Sequence, residues 1–89
     1  MKADRNSVTR KINIVRGQLE GIQKMIDEDR YCVTIADQIL ASSALLKKAA
    51  QEVLEAHIRS CVRDALQTDE PNEKIEEALA VLEKMTSKA

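Results

Sequence analysis

Apolar residues recur along the first part of the chain at Val8, Ile12, Val15, Leu19, Ile22 and Ile26, in alternating steps of four and three. That is the spacing of an amphipathic helix that packs one face against other helices. Asn6 or Ser7 is the predicted N-cap, because a short polar side chain there accepts from the free backbone N–H groups of the first turn. The polar run Asp27 to Arg30 breaks the stripe and predicts a turn. A second helix is predicted from about Tyr31, with Ile35, Ile39, Leu46, Val53, His57 and Cys61 on its apolar side and the stripe continuing towards Leu66. Nothing between Ile22 and Glu70 forces a break, since Gly17, Gly21 and Pro71 are the only glycines and the only proline. The small residues Ala41 to Ala44, at mid-length, let another helix approach closely. A third, shorter helix is predicted from Pro71, which suits a first helical turn, with Ile75, Leu79, Leu82 and Met85 facing inward. The pattern therefore predicts an all-α protomer of three helices, the central one long, in a single domain spanning residues 1–89.

Composition narrows what such a protomer does. A chain of 89 residues, 44% hydrophobic and 33% charged, buries only a modest core alone, so partners are expected. Tyr31 is the sole aromatic residue, which argues against single-stranded or RNA ligands that need stacking platforms. No run approaches the ~18 apolar residues of a membrane span. No signal-peptide pattern opens the chain either, so a cytoplasmic location is expected and a membrane role is not. Charge is unevenly placed. Lys2, Arg5, Arg10, Lys11, Arg16 and Lys24 face only Asp4 and Glu20 in the first part, whereas the stretch after Thr68 is acidic. The basic end is compatible with a phosphate-facing surface, although a solvated helix face produces the same imbalance.

The two cysteines and the lone histidine change the picture most. In a reducing compartment two thiols point to metal or redox chemistry rather than to a structural disulfide. On one unbroken helix at ~1.5 Å per residue, Cys32 lies about 37 Å from His57 and about 43 Å from Cys61. At ~100° per residue, however, all three project from nearly the same side. Two copies pairing antiparallel about a two-fold axis, crossing near Leu45 and Leu46, bring Cys32 of one level with His57 and Cys61 of the other. Isologous symmetry then makes two equivalent sites. Two thiolates and an imidazole form a soft, three-coordinate set that favours Cu(I). The same spacing also reads as three half-buried side chains of an apolar stripe. A thiol enzyme finds little support, because no third group is evident to orient His57 and little chain is left for a pocket.

The stretches VRGQLEGI (Val15 to Ile22), DRYC (Asp29 to Cys32) and EVLEAHIRSCV (Glu52 to Val62) resemble the copper-sensitive operon repressor (CsoR) family, over nearly the whole chain. That family also includes nickel/cobalt, formaldehyde and persulfide sensors. The resemblance implies three helices per chain, an antiparallel four-helix-bundle homodimer, and a dimer of dimers as the homotetramer. It implies a repressor without a helix-turn-helix motif, whose apo form binds double-stranded operator DNA and whose inducer releases it. Cys32, His57 and Cys61 stand where the copper branch has its ligands. Nickel and cobalt sensors add an N-terminal histidine, persulfide sensors lack the histidine, and formaldehyde sensors carry a proline where this chain has Lys2. The fit to copper is therefore best, with the persulfide, nickel/cobalt and formaldehyde branches as alternatives. The resemblance further implies that Tyr31 and Glu77 hold the ligand histidine and couple it to the third helix. For DNA the candidates are Arg10, Lys11 and Arg16 on the first helix and Lys47 and Lys48 midway along the second. The family usually carries further arginines where Asn13 and Ile14 stand here.

Overall fold

A computed structural model describes residues 1–68 and 71–86, with only the backbone described for Pro71 and Thr86. Three helices follow one another: α1 (Arg5–Asp27), α2 (Cys32–Gln67) and α3 (Pro71–Thr86). No strand occurs among the described residues. The all-α class and the long central helix agree with the apolar spacing. The start of α1 does not agree, because the helix already includes Asn6 and Ser7 and begins at Arg5. Asp4 then holds the position before it, where a carboxylate suits both the free N–H groups and the positive end of the helix dipole.

Internal packing gathers the chain into two compact units, Arg5–Ala50 on the one hand and Met1–Asp4 with the described residues of Gln51–Ala89 on the other. In the first unit, α1 ends in a Schellman motif. The Arg30 N–H reaches the Met25 carbonyl at 3.0 Å and the Asp29 N–H reaches the Ile26 carbonyl at 3.0 Å. The residue that makes this possible is Asp29, at φ 53°. Helices that end this way usually place glycine in that left-handed conformation, and Asp is one of the few side chains that tolerates it. The DEDR run is thus a turn for a specific reason. α2 then starts with the Ile35 N–H on the Tyr31 carbonyl at 3.2 Å.

Between these helices Val15, Ile22 and Ala49 are buried, and the Ser42 hydroxyl, also buried, donates to Gln18 Oε1 at 2.7 Å. Ser42 lies in the small-residue stretch, so a compact side chain with one satisfied hydroxyl sits where the two helices meet. The covered line on α1 runs Val8, Lys11, Val15, Gln18, Ile22, Met25, all buried or half-buried. Ile12, Leu19 and Ile26, from the predicted stripe, lie beside that line and remain exposed. One neighbouring helix covers a narrow strip, and these residues sit about 40° around the helix from it.

In the second unit, Cys61 and Ala78 are buried where α2 meets α3. Val81 and Met85 are half-buried, whereas Ile75, Leu79 and Leu82, predicted to face inward, are exposed. Leu66, expected to continue the α2 stripe, is 84% exposed. With Val62, Ala65, Ile75 and Leu79 it lines an open apolar cleft of about 220 Å³. No helix among the described residues is long and apolar enough to cross a membrane.

Candidate metal site

Two turns of α2 and one of α3 build the site. His57 and Cys61 are four residues apart on α2, so their side chains share a face. α3 sets Glu77 against them. One ligand-type atom from each of His57, Cys61 and Glu77 lies within 4.8 Å of the other two. His57 Nε2 is 3.1 Å from Glu77 Oε1. Lys74 Nζ approaches the other carboxylate oxygen, Oε2, at 3.7 Å.

The electrostatics assign the protons. The hydrogen bond from His57, and after it the Lys74 charge, hold the Glu77 carboxyl below the usual carboxylate range. Glu77 is therefore ionised at neutral pH and can only accept. His57 must donate from Nε2, so of the two ring nitrogens only Nδ1 can offer a lone pair. Nδ1 is thus the atom free for a metal, while the carboxylate fixes the ring from the other side.

Cys61 is 4% exposed, and burial pushes its thiol up from the ordinary value, with the charge and hydrogen bond of Glu77 adding to the effect and Lys74 opposing it. At neutral pH it is a protonated thiol. A buried, protonated thiol is a weak nucleophile, yet a soft metal can displace its proton. Donor chemistry therefore fits a thiophilic ion in part. One protomer brings together an imidazole and one thiol, with a carboxylate already engaged by the ring.

The other sequence candidates stand elsewhere. Cys32 opens α2 and is exposed, and Tyr31 before it is 69% exposed. Both belong to the unit Arg5–Ala50, and the cluster of His57, Cys61 and Glu77 to the other. Of the basic candidates, Arg10, Arg16, Lys47 and Lys48 are exposed, and half-buried Lys11 donates from Nζ to Ser7 Oγ at 2.9 Å. Sequence reasoning passed over Lys74, although its place three residues before Glu77 is the spacing of a helical ion pair.

Known proteins give this geometry its context. Residues 4–84 match the family described as metal-sensitive transcriptional repressor. The chain is 39% identical over 83 residues to the copper-sensing transcriptional repressor CsoR of Bacillus subtilis (strain 168), a match covering 93% of this chain and 82% of that protein. It is 31% identical over 83 residues to the copper-sensing transcriptional repressor RicR of Mycobacterium tuberculosis (strain ATCC 25618 / H37Rv), covering 91% of this chain and 86% of the relative. The fold is similar to the solved structure of the nickel-responsive transcriptional regulator InrS, with a TM-score of 0.84 and 19% identity over 96% of each chain. At that identity the likeness speaks for the three-helix fold alone. With a family match that runs from the start of α1 almost to the end of α3, the chain belongs to the metal-sensitive transcriptional repressors.

Proposed function

We propose that this chain is a copper(I)-responsive repressor whose metal-free form holds double-stranded operator DNA and whose Cu(I)-bound form releases it. The observation that carries the reading is the incomplete soft site: the His57 imidazole and the Cys61 thiol lie together, and Glu77 is already spent on orienting the ring. A third soft donor is needed. Cys32 is the other cysteine, and it opens α2, 25 residues before His57. A second copy running antiparallel supplies it. The whole chain then acts as one sensing and DNA-binding domain in the cytoplasm, as a homodimer that pairs again into a homotetramer.

Exposed apolar side chains support the assembly. Ile12, Leu19 and Ile26 on α1, Ile39 and Leu46 on α2, and Ile75, Leu79 and Leu82 on α3 are left in water by a single protomer. Rows of this kind mark association surfaces. Copper is favoured over other signals by the sulfur-rich set and by the copper-sensing names of both relatives. The buried, protonated Cys61 is a poor redox thiol, which disfavours a persulfide signal. Bound between two chains, Cu(I) would supply a soft cross-link through sulfur and nitrogen. On the protein side, His57 is held by Glu77, so occupancy of Nδ1 is felt at α3 through one hydrogen bond. For DNA, exposed Arg10, Arg16, Lys47 and Lys48, with Lys11, provide phosphate-seeking charge.

One observation favours a second reading. Glu77 offers oxygen beside nitrogen and sulfur within one protomer, a mixed set suited to nickel, cobalt or zinc. An anaerobic Cu(I) titration against a competing chelator, followed by fluorescence anisotropy with the chain's own promoter, tests the first reading. One Cu(I) per protomer with loss of DNA binding is expected. A Cys32→Ala variant that keeps full metal affinity and response would establish the mixed intraprotomer site instead.

A further inference from the structure

The unit formed by Met1–Asp4 and the described residues of Gln51–Ala89 has a second concave feature, on another side of α2 from His57 and Cys61. It is a pocket of about 280 Å³ walled by Lys2, Ala56, Arg59, Ser60 and Arg63. Three of these side chains are cationic, Ser60 adds a hydroxyl, and none is acidic. Among the described residues no ion pair reaches Lys2, Arg59 or Arg63. Arg59 and Arg63 are four apart on the helix, so their like charges are neighbours and repel. The fold adds Lys2 to the same place. Such a cluster is relieved when an anion enters it, and arginine forks with a hydroxyl match the oxygens of a phosphate group.

Helix geometry ties this pocket to the metal site. Arg59 follows His57 by two residues and Arg63 follows Cys61 by two, so each arginine sits about 200° around α2 from a soft donor. The same two turns carry metal-seeking side chains on one side and phosphate-seeking side chains on the other.

We infer that Lys2, Arg59, Ser60 and Arg63 seat a backbone phosphate of double-stranded DNA. The inference rests on the DNA-binding reading and extends the contact surface beyond Arg10, Lys11, Arg16, Lys47 and Lys48. It places a DNA contact on the same turns of α2 that carry His57 and Cys61. A contact of this type positions the protein without reading sequence.

The test is fluorescence anisotropy with the chain's own promoter duplex and a random duplex of equal length, across a salt series. The variants are Arg59→Gln/Arg63→Gln and, because Lys2 precedes the helices, Lys2→Gln as one that leaves them intact. For every pocket in contact, the slope of log K against log salt becomes shallower by about 0.9, and affinity at ~0.1 M salt falls about eightfold. Circular dichroism and Cu(I) stoichiometry stay unchanged. If the variants bind both duplexes with the wild-type affinity and slope, the pocket is not a DNA contact, although the DNA-binding reading survives. If the wild type binds neither duplex at low salt, both fall. Inorganic phosphate at the ionic strength of a chloride control provides the other arm. Equal competition by phosphate and chloride is expected. A saturable effect of phosphate that disappears in Arg59→Gln/Arg63→Gln, when those variants keep the wild-type DNA affinity and slope in chloride, assigns the pocket to free phosphate and overturns the DNA assignment.

Discussion

Replacing Glu77 by Ala is expected to separate holding the metal from responding to it. In the wild type the carboxylate accepts from His57 Nε2 at 3.1 Å and pairs with Lys74 at 3.7 Å. His57 and Glu77 side chains are 42% and 43% exposed, so water screens the pair and its direct effect on folding is small. Two opposite effects then act on the metal. Loss of Glu77 frees the ring and weakens the imidazole as a ligand, an effect that commonly costs 10-fold or more, roughly. It also removes the second and third causes of the raised Cys61 thiol, which eases deprotonation and favours binding. These offset, and Cu(I) affinity in Glu77→Ala is expected to stay within about tenfold of the wild type. The response does not benefit from that compensation. Site-to-site coupling in regulatory proteins typically spans about 5- to 150-fold. With the link to α3 cut, the ratio of apo to Cu(I)-loaded DNA affinity should fall by at least about tenfold, or to unity if it starts lower. Anisotropy measurements of DNA affinity with and without Cu(I) give this ratio directly. Glu77→Gln, which keeps an acceptor but not the charge, should be intermediate. An unchanged ratio in Glu77→Ala would refute the reasoning, because the hydrogen bond to α3 would then carry no signal.

Three further expectations follow from single features. Burial pushes the Cys61 thiol further above neutral pH; if Cys61 is a ligand, metal must displace its proton, and apparent Cu(I) affinity should rise by about tenfold per pH unit from this thiol alone. A chelator competition that is flat between about pH 6 and about pH 8 would contradict the assignment of Cys61 as ligand. Asp29 sits at φ 53°, so Asp29→Gly should stabilise the fold by up to ~1 kcal/mol, and Asp29→Val should destabilise it by ~1–2 kcal/mol. Thermal melts at equal protein concentration check both signs. Ser42→Ala leaves Gln18 Oε1 without its 2.7 Å donor and should cost ~1 kcal/mol or more in the same assay, unless water reaches the site.

Fold class was legible because it depends on periodicity. Steps of three and four from Val8 to Ile26, with glycine and proline almost absent, leave no reading but long helices. The turn at residues 27–30 was legible as polarity, but its mechanism was not, since nothing in the sequence distinguishes Asp29 from its acidic neighbours before the left-handed φ is seen. Which apolar residues are covered was only half legible. Ile12, Leu19 and Ile75 belong to stripes as regular as those of Val15 and Ile22, but a protomer of three helices lacks the partners to cover every stripe. Leu66 failed as a core residue for the same reason. At the site, the His57 and Cys61 pairing follows from i, i+4 geometry, whereas the approach of Glu77 depends on how α3 packs. No spacing encodes that approach, and it entered the sequence reading only through the family resemblance. Lys74 shows the converse case, a legible helical pair whose relevance appears only once Glu77 is seen to hold the histidine.

The proposed sharing of a metal between two copies is most directly tested with mixed dimers. Cys32→Ala and His57→Ala chains, each unable to form a complete site with itself, are co-expressed with different tags and the mixed species is isolated. One of its two sites then combines Cys32 from one chain with His57 and Cys61 from the other. Recovery of one high-affinity Cu(I) per mixed dimer, with none in either parent, is the predicted result. A mixed dimer as defective as its parents, or a Cys32→Ala parent that binds copper as well as the wild type, would contradict the account.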